Sequence, residues 1–230
     1  MLYVQIMTNP RRQITFSHIP KTSGTYITQL LLMQGIALEP IKPLQKICSN
    51  YHTPLRYASR TSTLAISVAR NPYERLISEY MFECWANKEN LAVILEAYKI
   101  MNVQSCQTNR TQLNRFLRSR LPREHRYSML IDANESKTDC HLLCQSEYGT
   151  YIDANMKVLC ADKVRSQLSA WLNTSITYHR NVSKYNVTHL LDRDTIVMID
   201  KLCPNDRKIY EQACELRTDH ILASQVAYPS

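Results

Sequence analysis

The residues best suited to chemistry lie in one short turn, Pro20 to Thr25, which reads Pro-Lys-Thr-Ser-Gly-Thr. An apolar stretch, Ile14 to Ile19, precedes the turn, and apolar residues at helical spacing follow it from Ile27 onwards. This order predicts a strand, a tight turn and a helix start. The first N–H groups of a helix lack partners within it and lie at the positive end of its dipole, so they can bind phosphate or sulfate. Lys21 adds a full charge, although an ordinary strand–helix connection with a surface lysine fits the same letters.

A second strand–helix unit lies between Thr63 and Cys84. Apolar residues alternate from Leu64 to Val68 and predict a strand, and Pro72 suits the first position of the helix that follows. Arg70 lies between them, at the carboxyl end of the predicted strand. Ligands of open α/β sheets gather at that end, and the planar guanidinium can hold a phosphate through two hydrogen bonds.

Other elements are needed to hold these two units in place. A third strand is predicted at 156–160, irregular polar chain at 123–151 and a loop at 178–189. Strands that alternate with helices indicate an α/β fold with a mostly parallel sheet covered by helices on both faces, and 230 residues suit a single domain over 1–230. The further predicted helices are 87–101, 105–121, 162–172 (capped by Asp162) and 192–216 (broken near Pro204).

Charge narrows the possible ligands. Lysine plus arginine number 28 against 20 acidic residues, which leaves a net charge of +8. Such a surplus suits an anionic ligand, an acidic polymer or nucleic acid. The chain has no long lysine or arginine run, so no nucleic-acid partner is predicted.

The cellular compartment has two interpretations. No apolar run approaches the roughly 18–20 residues that a membrane span needs, and 1–10 is too short for a secretory signal, so the chain as written is expected in the cytoplasm. Eight cysteines and five Asn-x-Ser/Thr acceptors would instead suit the Golgi-lumen domain of an anchored protein. The cysteine spacing shows no tandem pairs and favours buried free thiols. Cys140 and Cys144 with His141 lack a second ligand pair, so no metal is predicted.

Taken together, the two units resemble PAPS-dependent sulfotransferases, in particular carbohydrate sulfotransferases of the heparan sulfate 2-O type. HIPKTSGTYI is similar to the family's 5′-phosphosulfate loop (18–26), and VARNPYERLISEY to its 3′-phosphate segment (68–80). Weaker similarity at SNYHTPLRY, LCADKV, HRNVS and NDRKIYEQA extends the resemblance from 13 to about 215. It implies a P-loop-NTPase-like fold and transfer of a sulfuryl group from 3′-phosphoadenosine 5′-phosphosulfate (PAPS) to a hydroxyl, with PAPS as co-substrate and no metal.

The turn from Pro20 to Thr25, which we call the Lys21 turn, departs from the family pattern at one point. The family often has Gly-Gly or Gly-Ser where this chain has Ser23-Gly24, so we expect a slightly more restricted backbone. The turn also differs from a Walker A loop, because Lys21 precedes the only glycine. A nucleoside triphosphate kinase is therefore disfavoured.

The resemblance also implies roles for individual residues. Lys21 would meet the leaving oxygen, and Arg70 and Ser78 would bind the 3′-phosphate. Arg75 is expected on another side of the same helix and is therefore predicted to be structural. Asn181 and Ser183 would close over the donor. The 5′-phosphate would be held by backbone amides and hydroxyls of the turn: Lys21, Thr22, Ser23, Gly24, Thr25 and Tyr26.

The acceptor hydroxyl must lose a proton, and a histidine with an ordinary pKa of about 6.5 can take it. His52 is the predicted base because it occupies the place where the resemblance expects a catalytic histidine. His18 is expected to pack beneath the turn. The acceptor is expected to be a carbohydrate that faces the irregular segment 123–151. A competing hypothesis is an inactive sulfotransferase-like module that binds nucleotide or acidic glycan. The alternative bases are His141, Glu74, Glu79 and Glu83.

Overall fold

The computed structural model describes residues 13–39, 42–43, 52, 58–59, 65–86, 110–130, 140–148, 156–177 and 185–215. In chain order its elements are β1 (Gln13–Ser17), α1 (Gly24–Met33), β2 (Ala37–Glu39), β3 (Lys42–Pro43), β4 (Ala58–Ser59), β5 (Ala65–Ala69), α2 (Pro72–Ala86), α3 (Arg110–Leu130), β6 (Met156–Cys160), α4 (Val164–Leu172), α5 (Val187–Leu190), α6 (Arg193–Leu202) and α7 (Asp206–Glu215). Two short 3₁₀ turns, Cys140–Leu142 and Gln145–Tyr148, lie between α3 and β6.

Four of the strands form one parallel sheet in the order β2-β1-β5-β6, and β3 and β4 form a separate antiparallel pair. The predicted α/β class with a mostly parallel sheet is confirmed. Since all four strands run the same way, the carboxyl ends of β1 and β5 lie side by side. The Lys21 turn follows β1 and Arg70 follows β5, so the sheet brings both predicted phosphate-binding segments to one edge.

Helices cover both faces of this sheet because successive strand residues point to opposite sides. On one face, Ile66 and Val68 of β5 pack in a buried cluster with α1 and α4. On the other, Ala69 and Cys160 pack against Ile209 of α7. Strands that are buried on both faces read as nearly continuous apolar runs, and β5, which is buried along its whole length, contains one polar residue, Ser67.

A second apolar cluster holds α2 in place. It joins Leu76 and Ile77 of α2 to Leu117 of α3 and Ile199 of α6. Each such side chain contributes about 1.5–3 kcal/mol when fully buried. The hydroxyl of Tyr73 also donates to the Asp200 carboxylate at 2.6 Å. These contacts with α3 and α6 fix the rotation of α2, and therefore decide which of its residues face the Lys21 turn.

Several element bounds differ from the predictions. The helix expected at 105–121 runs from Arg110 to Leu130 and continues through Pro122. Asp162 does not cap α4, since its carboxylate accepts from the Tyr210 hydroxyl at 2.6 Å and Lys163 occupies the N-cap position. The loop expected at 178–189 contains the start of α5. The break near Pro204 is confirmed between α6 and α7. The helix predicted at 87–101 lies outside the described residues.

Two disulfides correct the expectation of free thiols for four of the cysteines. Cys144 bonds to Cys203, and Cys160 bonds to Cys214. Sequence separations of 59 and 54 residues show why spacing could not reveal these pairs, since only the packing of α6 and α7 brings the sulfurs together. Within the described ranges, no helix is both long enough and apolar enough to cross a membrane.

Candidate functional site

The Lys21 turn has a left-handed backbone at two non-glycine residues. Lys21 has φ 63° and Ser23 has φ 71°, whereas Gly24, where α1 begins, does not have a positive φ. A left-handed conformation costs a residue with a side chain about 1–2 kcal/mol. The backbone restriction expected for this turn therefore falls on Ser23 and not on Gly24.

Gly24 is needed for a different reason, which is the close approach of His18. A Cβ atom on Gly24 would lie 1.8 Å from His18 Cδ2 and 1.9 Å from His18 Nε2. Carbon atoms in contact are normally about 3.5–4.0 Å apart. The imidazole of His18 therefore occupies the space that any other residue at position 24 would fill, and it packs directly against the start of α1, as expected.

The hydroxyls of the turn do not share one environment. Thr22 is fully buried and its hydroxyl donates to the Ile19 carbonyl oxygen at 2.8 Å. Tyr26 is buried in the core that α1 forms with the sheet. Ser23 is half-buried and Thr25 is exposed, so these two hydroxyls lie at the surface of the turn. Thr22 can therefore serve an anion only through its backbone amide.

Arg70 connects the two strand ends. The residue is only 4% exposed, and its guanidinium donates to the Lys21 carbonyl oxygen at 3.1 Å and to Glu74 at 3.4 Å. The Gln145 side chain accepts from the Arg70 N–H and donates to the Arg70 carbonyl oxygen, both at 2.8 Å. Arg70 thereby fixes the Lys21 turn to the end of β5. Ser78, the other predicted 3′-phosphate ligand, is half-buried on α2.

His52 lies beside the turn and is oriented by it. Its Nδ1 is 3.2 Å from the His18 carbonyl oxygen, and the two imidazole rings are 4.5 Å apart between centroids. A carbonyl oxygen can only accept, so Nδ1 must carry the hydrogen in this contact. The lone pair of neutral His52 is then on Nε2, which is the nitrogen able to take a proton.

A third histidine, His141, completes this group, and we call His18, His52 and His141 the histidine cluster. The rings of His52 and His141 are 4.7 Å apart and nearly perpendicular. The ring of Phe82, which is partly exposed, stacks on His141 at 6.0 Å, and Lys21 Nζ lies 4.2 Å from the Phe82 centroid. Lys21 and two potential bases are therefore linked by direct side-chain contacts.

His18, unlike His52 and His141, is poorly suited to accept a proton. Burial, together with the neighbouring His52, His141 and Lys21, lowers the pKa of His18 to about 3. His18 is therefore neutral at physiological pH. Its role is to occupy space beneath the turn and to present its carbonyl oxygen to His52.

The segment 140–148 carries His141 and is held from two sides. Arg75, which is fully buried on α2, donates to the carbonyl oxygens of His141 and Leu143 at 2.9 and 2.7 Å. Asp206 of α7 accepts from the N–H groups of Gln145 and Ser146 at 2.8 and 3.0 Å. Arg75 is structural, as expected. The region predicted as irregular over 123–151 includes the end of α3 and this tightly held segment.

Sequence reasoning missed three residues of this site, namely Phe82, Gln145 and Asp206. One signal was available for Phe82, because Arg75, Glu79 and Phe82 are spaced by four and three residues and so share one face of α2. No local pattern marks Gln145 or Asp206, whose partners are distant in the chain.

Two residues predicted to close over the donor, Asn181 and Ser183, lie outside the described residues.

Two groups in the described ranges bring two cysteines and an aspartate together, Cys144 with Cys203 and Asp206, and Cys160 with Cys214 and Asp162. In both groups the cysteines are bonded to each other, so their sulfurs are not thiolate ligands. The weak metal pattern around His141 loses Cys144 for the same reason.

The arrangement combines a helix start and a lysine, which suit an anion, with histidines able to accept a proton. Comparison with known families matches the Sulfotransferase family over residues 4–189, which is well over half of the chain. No curated protein and no solved structure matches the chain. The family match includes the Lys21 turn, Arg70 and the histidine cluster, and the chain therefore belongs to the Sulfotransferase family.

Proposed function

We propose that this protein transfers a sulfuryl group from PAPS to a hydroxyl of a carbohydrate acceptor. The observation that carries the proposal is the contact between Lys21, in a turn at the start of α1, and the histidine cluster through Phe82. A donor sulfate bound at the turn would lie beside groups able to take the acceptor's proton. The finer resemblance, to carbohydrate sulfotransferases of the heparan sulfate 2-O type, is part of the proposal, which does not specify the position sulfated.

The leaving side of the reaction would be served by the turn. As the acceptor oxygen bonds to sulfur, the bond from sulfur to the bridging oxygen breaks and its electron pair stays on the 5′-phosphate. Lys21 would stabilise that charge, and the amides of residues 22–26 with the hydroxyls of Ser23 and Thr25 would hold the phosphate. Positioned donors of this kind contribute about 10²–10³-fold in rate.

The base in this proposal is His52. Its Nδ1 contact with the His18 carbonyl oxygen leaves Nε2 as the proton acceptor, so the ring is held in the tautomer that the reaction needs. The proton of the acceptor hydroxyl passes to Nε2 as the new bond to sulfur forms. No metal takes part in the proposed mechanism.

The 3′-phosphate would bind near Arg70 and Ser78. Arg70 now pairs with Glu74 at 3.4 Å, and a phosphate would take the place of that carboxylate as the partner of the guanidinium. Asn181 and Ser183 are proposed to close over the nucleotide. This assignment rests on the family resemblance together with the location of Arg70 at the carboxyl end of β5.

The acceptor class and the compartment are proposed on charge and cysteine chemistry. A net charge of +8 suits an anionic donor and an acidic glycan. Two disulfides suit an oxidising compartment, so we favour a Golgi-lumen or secreted location over the cytoplasm. The single domain over 1–230 and the acceptor-facing role of 123–151 remain part of this proposal.

The test is transfer of radiolabelled sulfate from PAPS to a panel of glycans, glycolipids and small alcohols. Lys21→Ala and His52→Ala should each abolish measurable transfer, whereas Arg70→Ala should weaken binding of the donor product by about 10–100-fold, since a charge-assisted hydrogen bond contributes about 1.5–3 kcal/mol. Lys201→Ala and His189→Ala, which change exposed residues on α6 and α5, are matched controls.

Two outcomes would separate this function from its competitor. If the protein is an inactive module, the wild-type protein will bind the donor product or an acidic glycan but will transfer no sulfate to any acceptor. Undiminished transfer by His52→Ala would exclude His52 as the base while leaving the transferase function intact.

A further inference from the structure

His141 is held by a buried carboxylate, a feature that the proposed mechanism does not use. Its Nδ1 lies 2.9 Å from Oε1 of Glu79, and Glu79 is only 1% exposed. A carboxylate can only accept from a histidine in this geometry, so Nδ1 carries the hydrogen and Nε2 carries the lone pair of neutral His141. His141 and His52 thus present the same tautomer side by side.

Glu79 is unusual for a buried carboxylate. Its second oxygen, Oε2, is buried and has no hydrogen-bond partner among the residues that the structure describes. A buried carboxylate with so little hydrogen bonding needs a nearby positive charge. Protonated His141 would supply one at 2.9 Å, so the surroundings of Glu79 favour the imidazolium form of His141.

The two histidines differ in how well they can retain a proton. His52 contacts a neutral carbonyl oxygen, whereas His141 contacts a carboxylate. Hydrogen bonds to an ionised acceptor are roughly twice as strong as those between neutral groups. A proton shared between these rings, which lie 4.7 Å apart, is therefore more stable on His141.

Other charges near the pair do not reverse this preference. The turn supplies Lys21, which lies on the Phe82 ring that stacks on His141. The Arg75 guanidinium of α2 is committed to the carbonyl oxygens of His141 and Leu143. These cations disfavour a second positive charge, and Glu79 is the group that offsets them. The titratable groups close to His141 and Glu79 are Lys21, His18, His52 and Arg75. His125 of α3 contacts the sulfur of Cys144, three residues along the chain from His141.

We propose that His141 is the second proton-accepting group of this site and that Glu79 is its positioning residue. The inference rests on the proposed sulfuryl transfer. His52 Nε2 receives the proton of the acceptor hydroxyl as the oxygen–sulfur bond forms and the bond to the bridging oxygen breaks. The proton then passes to His141 Nε2, directly or through one water, and leaves to solvent. His52 thereby returns to its neutral form before the next turnover.

Glu79→Gln tests this directly because it keeps the size of the side chain and removes its charge. We expect transfer to fall at least tenfold with binding of the donor product unchanged. The acid limb of the pH profile of kcat should move to lower pH. Without the Glu79 carboxylate, protonated His141 is less stable, so the two histidines take up their shared proton only at lower pH. A merely structural role would lower the rate without moving that limb. Glu211→Gln, an exposed glutamate on α7, is the control.

Two further measurements make the proposal falsifiable if Glu79→Gln is unstable. His141→Asn should lower kcat by a similar factor, and the double variant should be no worse than His141→Asn alone, since both act through one pair. The ¹⁵N signals of the His141 ring, followed by NMR against pH, should show protonation at higher pH in wild type than in Glu79→Gln.

The outcomes also separate this inference from the proposed function. Normal transfer by both Glu79→Gln and His141→Asn overturns the inference and leaves sulfuryl transfer in place. A ¹⁵N titration that is identical in wild type and Glu79→Gln overturns the role given to Glu79. Wild-type protein that binds the donor product but transfers no sulfate overturns the proposed function and the proton pathway together.

Discussion

Replacing Gly24 with alanine should disrupt the site through a single steric conflict. The new Cβ would lie 1.8 Å from His18 Cδ2, so the imidazole must withdraw by roughly 1.7 Å to reach an ordinary contact of about 3.5 Å. The ring cannot withdraw easily, because Phe16 stacks on it and His52 lies 4.5 Å away. Overpacking of this kind costs about 1–3 kcal/mol.

Both stability and activity should respond. The melting temperature should fall by roughly 2–4 °C for each kcal/mol in a domain of this size. Displacement of the start of α1 and of His52 by about 1 Å should lower sulfate transfer by roughly a hundredfold. Thermal denaturation and the radiolabel assay measure the two effects separately.

A second substitution provides the compensating test. His18→Ala removes the ring that the alanine at position 24 meets, and it keeps the carbonyl oxygen that His52 contacts. The double variant should therefore be more stable than the sum of the two single effects predicts, with a coupling of about 0.5–3 kcal/mol. Gly35→Ala is the control, since a Cβ there meets nothing within 4 Å and only the backbone at φ 70° is strained. Wild-type stability of Gly24→Ala, or additive effects in the double variant, would refute the steric reasoning.

Three further predictions concern the same structure. Ser23→Gly should raise the free energy of unfolding by up to about 1 kcal/mol, because it relieves a left-handed backbone, and chemical denaturation showing a loss would contradict this. Cys203→Ala removes the disulfide to Cys144, which links residues 59 apart in sequence, and should lower the free energy of unfolding by about 4 kcal/mol through loop-closure entropy. A loss of less than about 1 kcal/mol by calorimetry would argue against a stabilising disulfide. The pKa of His18, lowered to about 3 by burial, makes wild type lose stability as pH falls from about 6.5 towards 3, since the unfolded chain takes up the proton first. His18→Asn should lack that decline between pH 7 and 4.

The sequence was sufficient for three of the four strands of the parallel sheet and for the two segments at its edge, whereas β2 was not predicted. Strands β1, β5 and β6 lie within buried or alternating apolar runs, and the turn residues after β1 and β5 have strong local preferences. Lys21 and Arg70 could be assigned to one edge because the carboxyl ends of neighbouring parallel strands meet there. Helix bounds were less predictable, since packing of α3 extends it through Pro122.

The sequence alone therefore determined a strand–turn–helix unit that carries Lys21, a second such unit that carries Arg70, and a family resemblance, because each depends on residues close together in the chain. Tertiary structure decided which groups surround them. The pairing of His141 with Glu79 spans 62 residues, and the two hydrogen bonds of Gln145 to Arg70 span 75. Such contacts have no local signal, since they arise only when helices pack across the sheet edge. The same is true of Gly24, whose necessity comes from the ring of His18 and not from its own backbone.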